Sequence, residues 1–407
     1  MQTRLADFLR DTPEGRDAES VLRACVHCGF CNATCPTYQV LGDELDGPRG
    51  RIYLMKQMVE GEPVTAETRL HLDRCLTCRA CETTCPSGVE YGKLVEVGRT
   101  IVEQRAPRPP LEQLFRRVFA WALLQRWLFG FGLAIGRVVR PLLPAVLRQK
   151  IPKAPPRGAW PPARHARRWV LLEGCVQPAM FPDLNAATAR VLDAIGLSTV
   201  TAPAARCCGA LRLHLGQTAA AMDDVRRSID AWWPLVEQGV EGFVMNASGC
   251  GVTVREWGHL LREDPRYHDR AARIASMTRD VGEVVAAELA TLVPKLRRPL
   301  PARIAFHPPC TLQHGQQLRG QPENVLRAAG ADVRLPVDSH LCCGSAGTYS
   351  ILQPALGGEL RARKLRALDD VGAQVVASAN VGCLAHLQRD GGTPVRHWIE
   401  LIDEALR

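Results

Sequence analysis

The chain lacks the short motifs that mark many catalytic sites. It contains no glycine-rich nucleotide loop, no His-Glu-x-x-His helix and no nucleophile elbow, so no site for FAD, NAD or a hydrolytic reaction is visible in it. Its N-terminal residues are charged and amphipathic, without the apolar core of a secretory signal. We therefore predict a protein on the cytoplasmic side of the membrane with reduced thiols.

Acidic residues are almost missing from one segment, residues 105–168. That segment holds 14 Arg or Lys and a single acid, Glu112, so it carries +13, whereas the rest of the chain carries −4 out of the total of +9. Because one segment contains the whole excess, the charge indicates a local electrostatic role. We expect no nucleic-acid partner.

The same segment has no apolar run long enough to cross a bilayer. Its longest uncharged stretch, residues 127–136, has ten residues, whereas a spanning helix needs roughly 20. The basic segment also contains Trp121, Trp127 and Phe131 close to arginine residues. This composition is typical of a helix that lies in a membrane interface. A helix packed against a partner subunit would show the same composition.

Cysteine, in contrast, is abundant. The sixteen cysteines form four groups with none left over, and the first two groups repeat the string Cys-x-x-Cys-x-x-Cys-x-x-x-Cys-Pro. The two runs are Cys25, Cys28, Cys31 and Cys35, and Cys75, Cys78, Cys81 and Cys85. This is the run that binds pairs of [4Fe-4S] clusters in bacterial ferredoxins.

The spacing predicts how two clusters would share these thiolates. Three close cysteines can bind three irons of one cube, and in two-cluster ferredoxins the cysteine before proline binds the other cluster. We therefore predict two ligand sets: Cys25, Cys28, Cys31 and Cys85 for the first cluster, and Cys35, Cys75, Cys78 and Cys81 for the second. A zinc site does not account for two such cysteine runs. Covalent attachment of haem would require His at the positions where the chain has Gly29 and Arg79.

A helix should separate the two cysteine runs. Leu54, Met55, Met58 and Val59 recur at helical spacing, which favours an α-helical ferredoxin domain over the compact β-type one. We place this domain at residues 1–104 and the basic, aromatic and proline-rich connector at residues 105–167.

The remaining eight cysteines form an internal repeat. In each copy, a first cysteine is followed 32 positions later by Cys-Cys-Gly and then by a final cysteine. The two sets are Cys175, Cys207, Cys208 and Cys250, and Cys310, Cys342, Cys343 and Cys383. Short apolar runs alternating with helical stretches predict two α/β units with parallel sheets, at residues 168–295 and 300–407. We expect the thiols to converge beyond the carboxyl ends of the strands, with each final cysteine in a glycine-containing loop.

The Cys-Cys-Gly repeat resembles the cysteine-rich domain shared by heterodisulfide reductase subunits, an anaerobic glycerol-3-phosphate dehydrogenase subunit and lactate-utilisation proteins. Within that group, nearly the whole chain resembles the iron-sulfur subunit of bacterial glycolate oxidase, for example over residues 23–31, 45–51 and 310–314. The resemblance implies a three-subunit enzyme whose FAD subunits oxidise glycolate to glyoxylate. This subunit would then relay electrons towards the quinone pool, as a peripheral protein on the cytoplasmic side of the inner membrane.

One departure from the family pattern leaves open what the thiols of each repeat bind. The heterodisulfide reductase type supplies a fifth thiolate three residues after the last cysteine, where this chain has Thr253 and His386. Four thiolates fit an iron-sulfur cluster or zinc, or stay free as buried thiols, and His386 is a candidate substitute ligand. His27, Arg74 and Arg79 flank cysteines, either as groups that tune a cluster potential or as ordinary solvated residues.

Three functions compete on this basis. The first is the electron-transfer subunit of a glycolate oxidase, and the second is the equivalent subunit of a D-lactate or glycerol-3-phosphate dehydrogenase. The third is a thiol/disulfide subunit that acts at the Cys-Cys-Gly sites.

Overall fold

We describe the protein from a computed structural model. The described residues are 1–144, 148, 151 and 157–407. Part of the predicted connector, including much of its proline-rich end, therefore lies outside the described residues.

The N-terminal region is helical, as the sequence predicts. Its helices are Pro13–Ala24, Phe30–Ala33, Pro36–Leu41, Pro48–Val59, Ala66–Asp73, Ala80–Thr84 and Tyr91–Arg105, with a 3-10 turn at Glu44–Asp46. Local chemistry explains the first of them, because the Thr12 side chain accepts a hydrogen bond from the Gly15 N–H and Pro13 takes the first helical position. The sequence-based choice of an α-helical ferredoxin domain is thus confirmed.

The spacer helix between the cysteine runs is the centre of this region's core. Met55 and Leu94, from Pro48–Val59 and Tyr91–Arg105, are completely buried. Gly98 lets the two helices approach closely, because a Cβ there would lie 2.6 Å from the Met55 Sδ. The cysteine runs are therefore attached to a packed helical scaffold rather than to free loops.

The connector contains two helices that meet at a sharp bend. Pro110–Leu124 is followed by Arg126–Val139 and the 3-10 turn Arg140–Leu142, at an angle of 89°. Arg126 Nη2 donates to the Gly174 carbonyl at 2.8 Å and Arg137 Nη2 to the Ala179 carbonyl at 2.7 Å, which holds the second helix on the first α/β unit. Within the described ranges, no single helix has the length and apolarity to cross a membrane, although the bent pair together meets that criterion.

The first α/β unit has a four-stranded parallel sheet. Its strands are β1 (Arg168–Leu171), β2 (Ser198–Val200), β3 (Gly242–Met245) and β4 (Thr278–Asp280), in the order β2-β1-β3-β4. The helices are Gln177–Met180, Leu184–Ala194, Ala210–His214, Thr218–Glu237, Ser248–Arg255, Trp257–Leu260, His268–Met277, Val281–Ala287 and Leu289–Leu292, followed by a 3-10 turn at Val293–Lys295. All four residues of β3 are buried, which is expected of a strand covered on both faces.

The second unit repeats this topology. Its strands are β5 (Arg303–His307), β6 (Asp332–Arg334), β7 (Val375–Ser378) and β8 (Val395–His397), in the order β6-β5-β7-β8. The helices are Gln321–Ala328, Tyr349–Leu352, Pro354–Asp369, Val381–Leu387 and Trp398–Leu406, with a π turn at Thr311–Gly315. The identical strand order confirms the pair of α/β units with parallel sheets that the alternation of strands and helices predicts.

The two units share one hydrophobic core. Leu184 and Val191 of the first unit belong to the same buried cluster as Trp398 and Ile402 of the second. Beside this contact, Arg190 Nε donates to Asp403 Oδ1 at 2.7 Å. The repeats therefore form one continuous body, on which the helical N-terminal region rests.

Candidate metal centres

The first thiol group lies near the surface and contains Cys25, Cys28, Cys31 and Cys85. Burial raises the pKa of Cys25, and the nearby Cys85 and Cys28 raise it further. Burial raises the pKa of Cys31 to about 11, with Cys25, Cys28 and Cys85 acting in the same direction. The same four side chains line one pocket, together with Cys81, so Cys85 of the second run lies beside the thiols of the first.

The two cysteine runs have the same unusual backbone. His27 and Gly29 have φ of 60° and 87°, and the corresponding residues of the second run, Thr77 and Arg79, have φ of 54° and 62°. Non-glycine residues seldom adopt this left-handed conformation. This conformation recurs at the same two positions of each run, and in both runs the first three thiols act electrostatically on one another.

The second thiol group is more deeply buried and contains Cys35, Cys75, Cys78 and Cys81. Burial raises the pKa of Cys81 well above its usual value, with Cys78, Cys75 and Cys35 adding to the effect. Cys75 differs: burial raises its pKa, but the charges of Arg51 and Arg99 and the hydrogen bonds from Thr77 and Tyr91 together lower it below its usual value. The crossed grouping of Cys35 with the second run mirrors that of Cys85 with the first.

A buried cation lies beside this second group. Arg51 is 1% exposed, and its guanidinium approaches Cys35 Sγ at 3.9 Å and Asp46 Oδ1 at 3.3 Å. The Tyr91 hydroxyl donates to Cys75 Sγ at 3.6 Å. These groups can stabilise negative charge on the thiolates of this site, and the sequence pattern did not identify either of them as part of it.

Arg74 and Arg79, which flank cysteines, are fixed by ion pairs. Arg74 Nη1 lies 2.7 Å from Asp46 Oδ2. Arg79 Nε lies 2.8 Å from Glu82 Oε2, and its Nη1 pairs with Glu256 of the first α/β unit. Both arginines are therefore partly buried structural groups, and Arg79 joins the cluster-binding region to the repeat.

The third thiol group gathers the four cysteines of the first repeat. Hydrogen bonding links them in the order Cys175, Cys207, Cys208 and Cys250. Gly209, with φ of 94°, turns the chain so that its N–H donates to Cys207 Sγ at 3.3 Å. Cys250 lies in the first turn of the helix Ser248–Arg255, so the expectation of a loop at the final cysteine is wrong.

The fourth group gathers the cysteines of the second repeat. Cys310 Sγ donates to Cys342 Sγ at 3.8 Å, and Cys343 Sγ to Cys383 Sγ at 3.5 Å. Cys383, like Cys250, lies in the first turn of a helix, Val381–Leu387. In both repeats only two residues separate the end of the strand from the start of this helix, so the final cysteine lies at the carboxyl edge of a parallel sheet.

The two residues that replace a fifth thiolate point elsewhere. Thr253 Oγ1 donates to the Gly249 carbonyl at 3.2 Å, which is a bond within its own helix. His386 Nε2 lies 3.2 Å from the Gly357 carbonyl. Among the described residues, the histidine that joins Cys343 and Cys383 in a compact group of donor atoms is His307, which the sequence reasoning missed.

The second and fourth thiol groups are in contact. Cys78 acts electrostatically on both Cys310 and Cys342. Cys310 and Cys342 share a buried cluster with Tyr349, and Cys78 packs against it. Tyr349 also donates its hydroxyl to the Arg74 carbonyl at 3.0 Å. The helical region thus adjoins the second repeat through thiol-bearing residues.

Comparison with known protein families identifies three regions of the chain. Residues 21–89 match the 4Fe-4S dicluster domain family, and residues 169–255 and 304–388 each match the cysteine-rich domain (CCG) family. The chain is 49% identical to the glycolate oxidase iron-sulfur subunit of Escherichia coli over 410 aligned residues, which cover 100% of this chain and 99% of the relative.

The chain belongs to the glycolate oxidase iron-sulfur subunit family. A probable member from Bacillus subtilis is 31% identical, with 91% of this chain and 89% of the relative aligned. Lactate utilization protein A of the same organism is 23% identical over 56% of this chain. The resemblance drawn from the sequence is thereby confirmed, and the protein is an iron-sulfur subunit of an oxidoreductase.

Proposed function

We propose that the chain is the electron-transfer subunit of a glycolate oxidase. A partner subunit with FAD would oxidise glycolate to glyoxylate, and this chain would pass the electrons towards membrane quinone. The observation that carries the proposal is the crossed gathering of the N-terminal thiols into two separate groups of four, in a chain of this family.

Each of these groups would hold one [4Fe-4S] cluster. Cys25, Cys28, Cys31 and Cys85 would bind the first, and Cys35, Cys75, Cys78 and Cys81 the second. Such a cluster accepts and releases one electron at a time, at a potential set by burial, charge and hydrogen bonds to sulfur. The deeper burial of the second group and the nearby Arg51 charge supply two of those influences.

Electrons would enter at the first group. Cys28 is exposed, and the surrounding surface is apolar, with Val26 68%, Phe30 63% and Tyr53 48% exposed. An exposed apolar patch with aromatic residues is typical of a protein interface. We place the FAD-binding partner on this surface, where a flavin would come within reach of the first cluster.

Electrons would leave the second group towards the second repeat. The contact of Cys78 with Cys310 and Cys342 supports this order, because electron transfer between centres requires short separations. The four thiolates of each repeat fit an additional iron-sulfur cluster, and zinc or free thiols are the alternatives.

The connector would hold the complex at the membrane surface. Ten large apolar side chains are exposed on its two helices and the turn that follows: Leu111, Leu114, Phe115, Val118, Trp121, Trp127, Phe131, Ile135, Val138 and Leu142. Since the segment is also strongly basic, it suits the headgroup region of an anionic lipid layer. We propose a peripheral position on the cytoplasmic side of the inner membrane.

Substitution of two of these side chains tests the membrane contact. Burying a Trp or Phe side chain contributes about 1.5–3 kcal/mol, so Trp127→Ser with Phe131→Ser should lower binding to anionic vesicles more than tenfold. Val337→Ser, at a residue 75% exposed on the second repeat, is the matched control. Equal binding of both proteins would remove the membrane from this proposal.

Electron paramagnetic resonance on anaerobic membranes tests the function itself. Glycolate should reduce clusters whose signals disappear in a strain that lacks this chain, whereas D-lactate and glycerol 3-phosphate should not. Signals obtained with dithionite but not with glycolate would reject glycolate as the donor. Reduction by D-lactate or glycerol 3-phosphate would instead establish the second candidate, which the similarity to lactate utilization protein A favours.

The thiol/disulfide candidate has a separate observation behind it. The chain is 22% identical over its whole length to one subunit of the fumarate reductase (CoM/CoB) of Methanothermobacter marburgensis. Thiol turnover that collapses in Cys208→Ser and Cys343→Ser while the N-terminal cluster signals persist would favour this candidate over glycolate oxidation.

A further inference from the structure

His307 is a buried histidine without an evident structural role. It is the last residue of β5 and is 1% exposed. Neither ring nitrogen has a hydrogen-bond partner among the described residues. A buried polar group without a partner destabilises a fold by about 1–3 kcal/mol, so both nitrogens of His307 require an explanation.

The ring faces two thiols of the fourth group. One donor atom each from His307, Cys343 and Cys383 lies within 4.8 Å of the other two. Cys343 and Cys383 are themselves 3.5 Å apart, sulfur to sulfur. Imidazole nitrogen and thiolate sulfur are both ligands of iron in clusters and of zinc.

The first repeat has no counterpart of this histidine. His307 stands three positions before Cys310, and the residue three positions before Cys175 is Leu172. Leu172 is 4% exposed and belongs to an apolar cluster of its own domain. Each repeat therefore has its own four thiols, but the side chain at this position is His307 in the second repeat and Leu172 in the first.

A second difference reinforces the first. Lys364, which is 4% exposed, donates from Nζ to the Asp338 carbonyl at 2.8 Å, and its charge acts on Cys342, Cys343 and Cys383. Lys364 follows Cys343 by the same interval that separates Ile229 from Cys208. The second site thus contains a buried cation that can balance thiolate charge, where the first site has an isoleucine.

We propose that His307 is a ligand of the metal centre in the second repeat, beside Cys343 and Cys383. This repeat would then hold an iron-sulfur centre with mixed thiolate and imidazole ligands, and the first repeat an all-thiolate site. The inference rests on the proposed function, since it requires an iron-sulfur cluster in this repeat. Replacing thiolate by imidazole raises the potential of a cluster, so the two repeats would differ in potential.

Nitrogen hyperfine spectroscopy tests the ligand directly. The full chain is produced with natural-abundance histidine and with ¹⁵N-histidine, reconstituted anaerobically with iron and sulfide, and studied by pulsed electron paramagnetic resonance. We expect a strong nitrogen coupling that changes with the isotope. The same coupling should vanish in His307→Leu, which installs the residue that the first repeat has.

Two further variants complete the test. His307→Cys keeps a metal-binding side chain, so the iron content should stay while the nitrogen coupling disappears and the potential of that centre falls. It also serves if His307→Leu does not fold. His386→Gln is the matched histidine control and should keep the coupling, because its ring faces the Gly357 carbonyl.

The possible results separate the two proposals. A coupling that persists in His307→Leu, or disappears only in His386→Gln, overturns the ligand role of His307, as does a wild-type protein without any isotope-sensitive coupling. Zinc in place of iron at the second repeat overturns the iron-sulfur assignment. In each case the two N-terminal cluster signals and their reduction by glycolate remain, whereas their loss from the wild-type protein would overturn the proposed function instead.

Discussion

The two cysteine-rich repeats are alike in scaffold and different in chemistry. Both have the same strand order, the same turn at Cys-Cys-Gly and a final cysteine in the first turn of a helix. In the second repeat, His307 and Lys364 lie beside the thiols, and Cys310 lies close to Cys78 of the buried thiol group in the helical region. Duplication has therefore preserved the four cysteines of each repeat, while the residues around them give the two sites different chemical surroundings.

The largest expected effect on electron flow comes from replacing one cysteine in each repeat. Cys343→Ser should nearly abolish electron flow from glycolate to a quinone analogue, because the second repeat adjoins Cys78. The loss should exceed the ~10–100-fold effect of substitutions next to metal ligands. Cys208→Ser, the corresponding change in the first repeat, should reduce the rate much less.

Steady-state reduction of the quinone analogue by the purified complex, with both variants matched for N-terminal cluster content, makes this measurement. Equal losses in the two variants would contradict the route through the second repeat. A larger loss in Cys208→Ser would reverse the order of the centres.

The next effect concerns the two N-terminal thiol groups. Arg51→Met removes the buried cation beside the second group, but Arg74 still pairs with Asp46, so the loss of stability should be smaller than the ~3–5 kcal/mol expected when a buried charge loses its only partner. We also expect a lower potential for the second cluster, since a nearby positive charge favours the reduced form. Arg49→Met removes a partly exposed ion pair with Glu44 and should cost no more than about 1 kcal/mol.

Redox titration followed by chemical unfolding under anaerobic conditions measures both quantities. An unchanged potential of the second cluster in Arg51→Met would remove the proposed electrostatic tuning, even if stability falls.

A smaller effect distinguishes the helix caps that follow the fourth strand of each repeat. Asp280 caps one helix in a capping box with Glu283, and His397 caps the other with Glu400. Burial raises the pKa of Asp280 to about 7 and lowers that of His397 to about 3. The two caps therefore make stability depend on pH in opposite directions.

For Asp280, the folded protein binds the proton more tightly than the unfolded chain, so stability is complete below about pH 4 and declines as the pH rises through about 7. Asp280→Asn keeps a good cap and should remove this decline. The gain at pH 7.5 should be on the order of 2 kcal/mol.

For His397, the unfolded chain binds the proton more tightly, so stability is complete above about pH 6.5 and declines as the pH falls towards about 3. His397→Asn should remove that acid decline. Thermal unfolding at several pH values checks both variants, and parallel pH profiles for wild type and variant would contradict the corresponding assignment.

Much of this organisation follows from sequence patterns alone. The runs leading to Cys175 and Cys310 are strands, as predicted, and so are the runs around Val244 and Val376. The ligand sets that the cysteine spacing predicts, with Cys85 joining the first run, remain a prediction. These features are local in sequence or repeat in it, and periodicity and spacing record such information directly.

Other features depend on contacts between distant segments. β4 and β8 have only three residues each and no apolar run long enough to predict a strand. They form because each pairs with a neighbouring strand. The final cysteines lie in helices because Ser248 and Val381 each begin a helix only two intervening residues after a strand. His307 stands three positions before Cys310, the same spacing that separates His386 from Cys383, so spacing did not single it out. Its proximity to Cys343 and Cys383 arises only when the strands of the second repeat pair.

Residue identity at fixed spacing was enough to establish the number of thiols, the duplicated α/β frame and the family, and it predicts how the thiols are shared between clusters. The tertiary structure alone decided which thiol groups touch, that Arg51 is buried beside the second group, and that His307 rather than His386 faces thiols. The physical reason is that burial and distance depend on how whole elements pack, and a side chain acquires its charge environment only in that packing.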